Sequence, residues 1–324
     1  MKKVLVITLA CVFIMAVNTS AFLPKDRRYI FEYSFVVKDI PVYASNIRIW
    51  VPYPSENLCQ RVEYIEPEES HSYAITYNKV YNNKMLYYSM SAQEGPEVRI
   101  NERYKILRRE FLNRPRSVFY RNSNHGKSEI ERYLKPDRFV IVNDRVKGLA
   151  SEITNGKNTT MEKARAIYDY IFRNISYGKS VPGWGKGDIE RVCIVKSGNC
   201  TDFHSLFVAL ARASGIPAKF VMGVPVSREK YGKVNSYHCW AEFYEPHHGW
   251  IPVDISEASK NKSRYEYYFG GLDENRIEFS HGRDIKLEPP QNNGGLNYFI
   301  FPYVEVDGKT YENVEVEFKY REIS

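Results

Sequence analysis

The stretch GNCTDFHSLFVALARASGIP, residues 198–217, reads as a helix with a chemically loaded start. Phe203, Leu206, Phe207 and Leu210 recur at three- and four-residue spacing, an apolar stripe that buries one side of a helix from about Cys200 to Ser214. Gly215 supplies the stop and Pro217 blocks continuation. Cys200 therefore sits at the amino end, where unpaired N–H groups and the helix dipole favour a thiolate. The same groups can stabilise an oxyanion on a carbonyl that the sulfur attacks.

Downstream, Ala218–Val224, His238–Tyr244 and Trp250–Asp254 read as strands, with Glu245–Gly249 as the turn between the last two. A five-residue loop there sets Tyr244 opposite Trp250 and Asp254 opposite Trp240. Asp254 and His238 are then diagonal neighbours on one sheet face, about 7–8 Å apart at the backbone. A slip of one residue would put them on opposite faces. Along the strand, His238, Trp240, Glu242 and Tyr244 alternate with Cys239, Ala241 and Phe243, so one face reads as a site and the other as a core. A nucleophile, a base beside it and a third group orienting the base are what covalent acyl transfer requires. Taken singly, each residue has a plainer reading: a small buried hydrophobe, a satisfied sheet histidine, a strand-end turn residue.

Towards the amino end, Tyr29–Val37, Asn46–Val51, Tyr73–Tyr77, Met85–Met90 and Ile100–Leu107 are short runs rich in Tyr, Val and Ile, separated by Pro, Asn and Gly. That pattern predicts an antiparallel β-sandwich over residues 22–125. No titratable cluster lies in it. Arg114–Lys127 is polar and reads as the linker to a second domain, residues 126–324. There the spacing turns helical, with Phe139, Val140, Val142, Val146 and Leu149 on one helix and Ala164, Ile167, Tyr168, Ile171 and Phe172 on another. Thr159 and Glu162 form a capping box for the latter. In the tail, Asn297–Tyr303 and Val314–Tyr320 alternate as two closing strands around an Asp307-Gly308 turn, completing a sheet or lining the cleft.

Lys2 and Lys3, the apolar run Val4–Val17 and the small residues Thr19 and Ala21 predict a signal peptide over residues 1–21, hence a secreted or periplasmic protein. The run continues past Cys11, which argues against lipid attachment there, and no later stretch is apolar enough to span a membrane. Cys59, Cys193, Cys200 and Cys239 are too few for a disulfide scaffold. If Cys200 stays free, at most one disulfide forms among the other three, and Cys193 is either packing or half of it. The whole chain carries a formal charge of +7, and residues 99–138 hold 12 basic against 5 acidic side chains. This segment is either a face for an acidic partner or a solvated strand-and-loop surface. No nucleic-acid motif accompanies it.

Pro182–Gly187 is glycine-rich but lacks phosphate-loop spacing, and its role is to bring Trp184 near the reacting centre. His204 with Cys200, His238, Cys239, His247 and His248 suggests a metal, but no pair has zinc-ligand spacing, so neither metal nor cofactor is expected.

Four blocks carry a resemblance: Ser197–Asp202, Arg212–Ala218, His238–Glu242 and Gly249–Asp254. In this order they resemble the core of the transglutaminase-like superfamily, across roughly residues 140–260. The resemblance implies an α+β fold, with an amino-terminal β-sandwich-like domain before a papain-like core of helices on an antiparallel sheet. It implies Cys200 as nucleophile, His238 as general base and acid, Asp254 as the orienting group and Trp184 as the oxyanion or substrate-site candidate. No acidic calcium loop of the animal enzymes is present. Ile255-Ser256 follows Asp254 where Asp-Pro is common in the superfamily, which bears on substrate. The implied function is an exported thiol hydrolase, a cysteine protease acting on a protein or peptide-like amide through a Cys200 thioester. Its alternatives are a cross-linking transamidase and a non-catalytic envelope binding protein that keeps the fold.

Overall fold

Tyr29, Phe31, Tyr33 and Phe35 point inward at alternate positions of the strand Asp26–Val37, and the long strand Val98–Arg109 pairs with it in strict buried–exposed alternation. In the computed structural model, which describes residues 23–67, 71–91, 95–112 and 126–323, these two strands centre a five-stranded antiparallel sheet. Its order is Tyr231–Val234, Val314–Ile323, Asp26–Val37, Val98–Arg109, Gln60–Ile65. A second sheet orders Lys309–Thr310, Tyr303–Val306, Ile47–Pro52, Lys84–Met90 and Tyr73–Tyr77. The inner faces share one apolar cluster, in which Phe31, Tyr33 and Ile106 meet Ile49, Val51 and Tyr88.

The sandwich takes strands from both ends of the chain. Val314–Ile323 pairs with Asp26–Val37 over ten residues, and the Asp307-Gly308 hairpin extends the second sheet. Asp307 and Gly308 both have left-handed φ, 47° and 75°, which suits a two-residue hairpin turn. A boundary at residue 126 therefore leaves the tail strands, grouped by sequence with the catalytic part, in the sheets of the amino-terminal strands. The predicted signal peptide and most of the predicted linker lie outside the described residues.

Of the basic segment, the described side chains on the outer face of Val98–Arg109 meet carboxylates. Arg103 faces Glu32 at 3.7 Å, Lys105 faces Glu63 at 3.3 Å and Arg109 faces Asp26 at 3.5 Å. This is a solvated, charge-matched sheet face.

A four-stranded antiparallel sheet, in the order Gly249–Val253, His238–Glu245, Ala218–Pro225, Arg276–His281, carries the rest. The helix Cys200–Ala213 covers one face and is buried along nearly its whole length. Around it stand Asp144–Ile153, Thr160–Asn174 and Ile189–Val195. The Thr159–Glu162 capping box forms, as its sequence requires. The preceding helix starts at Asp144 rather than near Phe139, because Asp137 Oδ1 takes the N–H groups of Phe139 and Val140 and folds them into a turn. The helix Ile189–Val195 holds Cys193 in the core, and the four described cysteines are free thiols.

The other face of this sheet lies against the sandwich. Trp240 packs there with Val221, Leu272 and Phe111, so the His238/Trp240/Glu242 side is a buried interface and only its His238 end belongs to a site. Gly223 marks the bulge where the central strand meets Arg276–His281, and a Cβ on it would stand 2.2 Å from Ile277 O. The Gly223→Ala variant is expected to lose about 1–3 kcal/mol of stability by overpacking, read as a lower urea midpoint at unchanged slope.

Candidate active site

The helix start is built by reciprocal capping. Asn199 Oδ1 accepts Thr201 N–H at 2.9 Å, and Asp202 Oδ2 accepts Asn199 N–H at 2.9 Å. The cap thus consumes donors of the first turn, and Cys200 N–H is the donor it leaves. Asp202, wholly buried, also takes Gly185 N–H at 2.7 Å and Gly187 N–H at 3.0 Å. The glycine-rich loop is thereby fixed to the Cys200 helix. Arg283 ties the same loop from behind, donating to Gly187 O at 3.0 Å, Lys186 O at 2.6 Å and Ser205 Oγ at 2.8 Å.

The hairpin has the expected register, with Tyr244 opposite Trp250, although Glu245 and Gly249 also pair and shorten the loop to three residues. The last strand ends at Val253. Asp254 then caps a helix, Ile255–Lys260, that the sequence reading had not separated from the strand. Its Oδ1 accepts Glu257 N–H at 3.0 Å, while Oδ2 lies 2.7 Å from His238 Nε2. That contact leaves Nδ1 of His238 for the sulfur, and His238 and Cys239 are the neighbours that most favour the Cys200 thiolate. Cys200, His238 and Asp254 are thus brought together, with Cys200 only 4% exposed.

The electrostatics follow. The hydrogen bond from Cys239 is the largest influence on Cys200 and, with the His238 hydrogen bond and charge, outweighs burial, so its pKa falls well below the ordinary thiol value. Burial lowers the His238 pKa, but the Asp254 charge and hydrogen bond and the facing Cys200 carry it up to about 10. Asp254 is buried too, yet His238, Arg276 and His204 hold its carboxyl well below the usual range. Burial keeps the Cys239 thiol protonated, as a donor towards Cys200. Two groups side by side thus favour opposite charges, the condition for a thiolate–imidazolium pair.

Trp184 stands on the pinned loop, 39% exposed, with Lys179 Nζ 5.3 Å from its ring centroid. Among the described residues no hydrogen bond or ring contact joins it to Cys200. His204, one turn along the helix, has its Nε2 engaged, accepting Ile255 N–H at 3.1 Å, and burial lowers its pKa to about 4. The neutral ring steadies the turn that presents Asp254. Sequence reasoning missed Arg276, which donates to Asp254 Oδ2 at 2.8 Å, and Asp202, whose place three residues after Asn199 was the available signal.

Residues 147–255 match the model of the transglutaminase-like superfamily core. A protein of Haemophilus influenzae, itself uncharacterised, is 29% identical over 320 residues, covering 85% of each chain. The YebA protein of Bacillus subtilis is 27% identical over 154 residues, 42% of this chain and 21% of its own length. Among solved structures, a candidate cysteine protease from Cytophaga hutchinsonii superposes with a TM-score of 0.58 at 16% identity, over 92% of this chain and 91% of that one. The fold is thus a mixed α/β one built on antiparallel sheets, and residues 147–255 are similar to the transglutaminase-like superfamily core.

Asp202→Asn replaces an acceptor oxygen by a donor facing backbone N–H groups. A loss of about 1–3 kcal/mol from the unsatisfied donor is expected, with new trypsin cleavage at Lys186 as the freed loop opens. Denaturant unfolding and peptide mapping check both.

Proposed function

We propose that this protein is an exported, cysteine-dependent acyl-transfer enzyme that hydrolyses a peptide-type amide. The observation that carries the reading is the burial together of Cys200, His238 and Asp254, with His238 Nε2 2.7 Å from Asp254 Oδ2. The Cys200 thiolate attacks the carbonyl, and Cys200 N–H donates to the oxyanion. His238, protonated in the resting pair, gives its proton to the leaving amine as the C–N bond breaks, and a thioester remains. Water, deprotonated by the now neutral imidazole, attacks the thioester, releasing the acid and restoring the thiolate and imidazolium. Asp254 holds Nε2 throughout and stabilises the imidazolium. Trp184, on the loop tied to the helix start, is assigned to the edge of the substrate site. The basic, apolar and small-residue order of residues 1–21 supports export, and a mature amino terminus at Phe22 is its direct check.

The pH dependence has a definite sign. An ordinary thiol with pKa near 8.5 loses roughly 300-fold of its thiolate at pH 6. Cys200 lies well below that value and His238 stays charged until about pH 10, so the pair persists across neutrality. Alkylation of Cys200 by iodoacetamide, followed by mass mapping, is expected to remain fast at pH 6 and to become an ordinary thiol titration in His238→Ala. A wild-type profile centred near 8.5 and indifferent to that substitution rejects the catalytic reading. Once a substrate is found, Cys200→Ala should lower kcat by about a thousandfold or more, with amine acceptors offered beside water to separate hydrolysis from transamidation.

A further inference from the structure

Asp254 Oδ2 is shared: His238 Nε2 lies 2.7 Å from it and an Arg276 terminal nitrogen donates to it at 2.8 Å. Arg276 opens the strand Arg276–His281 at the edge of the catalytic sheet, and its side chain is 3% exposed. Its second terminal nitrogen reaches Asp273 Oδ2 at 3.3 Å, the guanidinium carbon stands 5.1 Å from the Trp240 ring centroid, and Nε is buried with no partner among the described residues. Desolvating a guanidinium is costly. The strand does not need it for attachment, because Pro225 and Val224 already pair with Arg276 and Ile277 through the backbone. The cation is instead directed at the oxygen that orients the imidazole.

We infer that Arg276 is a positioning residue of the Cys200 reaction, holding Asp254 ionised and aimed at His238 so that four side chains, not three, form the working unit. The inference rests on the catalytic reading above. Several groups face the pair. Cys200 and His204 come from the nucleophile's helix, and Cys239 from the histidine's own strand. Lys260 and Glu257 lie on the helix that Asp254 caps, Asp273 is behind Arg276, and the Tyr177, Tyr237 and Tyr298 hydroxyls face Cys200. Of these, only Arg276 shares an oxygen with the imidazole, and Asp273, whose carboxyl Arg276 helps hold down at about 2, partly offsets its charge.

The sign follows from Coulomb's law. A cation beside Asp254 disfavours the imidazolium and favours the thiolate, so its loss raises the pKa values of both His238 and Cys200. Loss of Asp273 leaves the same cation less compensated and lowers both.

The test is the pH profile of Cys200 alkylation by iodoacetamide, which needs no substrate. The profile has an acid rise where the thiolate forms and an alkaline step where the imidazolium loses its proton. In Arg276→Gln both should move up by about 0.5–1 pH unit, Arg276→Lys should keep them near the wild-type positions, and Asp273→Asn should move them down. A folded Arg276→Gln protein whose limbs stay put overturns the inference, since a structural tie alone would cost stability without moving them. If that variant does not fold, Asp273→Asn decides alone: a downward shift supports the role and an unmoved profile overturns it. An ordinary, His238-independent thiol profile in the wild-type protein is a different result and removes the catalytic reading itself.

Discussion

The site depends on how one buried carboxylate divides its two oxygens. Oδ1 of Asp254 is committed to protein architecture, accepting Glu257 N–H and Ser256 Oγ–H at 3.0 and 3.1 Å, which starts a helix directly after the last strand of the hairpin. Oδ2 is committed to the imidazole and to Arg276. A carboxylate taken out of water must have its lone pairs filled or it will protonate instead. Here every direction is filled, so the charge survives burial and can stabilise a second charge, the imidazolium. The capping role also fixes the angle of the carboxylate, because turning it towards a different partner would release the helix.

This division explains why the chain's last third is threaded as it is. Arg276 must come from outside the hairpin, and it does so on a strand pinned from both sides. Pro225, Val224 and Gly223 pair with it in the four-stranded sheet, and Ser55 and Gln60 of the sandwich bond Phe279 O and Glu278 O. Phe279 meets Phe31 and Tyr33 edge-on at 5.8 and 6.1 Å in the same interface. The sandwich thus acts on the site through this strand. The chain then returns to close the sandwich with Val314–Ile323, and the two parts are joined by more than a linker.

What could be read in the sequence was whatever local periodicity or capping decides. The Cys200 helix, its glycine stop, the hairpin register and the Thr159 box rest on residues close together in the chain, and there the structure agrees. What could not be read depends on partners far away. The side of the strand bearing Trp240 looked like a site face because it alternates polar and aromatic groups, yet Phe111 and Leu272 cover it. Arg276 and Arg283 sat in a tail that gave no hint of which carboxylate or carbonyl they would meet. Phe139 and Val140 fitted a helical stripe, but the Asp137 side chain captured their N–H groups first. In each case a long-range contact or a side-chain-to-backbone bond overrode the pattern.

The surroundings of Cys200 carry the same logic one step further. A helix amino end is usually credited with several free N–H groups, but Asn199 has taken those of Thr201 and Asp202, and Asp202 has used its own oxygens on the glycine-rich loop. The thiolate is therefore not held by a row of backbone donors. The groups that most favour it are side chains: the Cys239 thiol, which burial keeps protonated, and the His238 ring. Those two donors occupy adjacent positions in one strand, one at the site end of the sandwich-facing side and the other on the core face. A strand normally sends such neighbours apart. They converge on Cys200 because the helix amino end lies at the strand's first residues, where the sulfur can meet both.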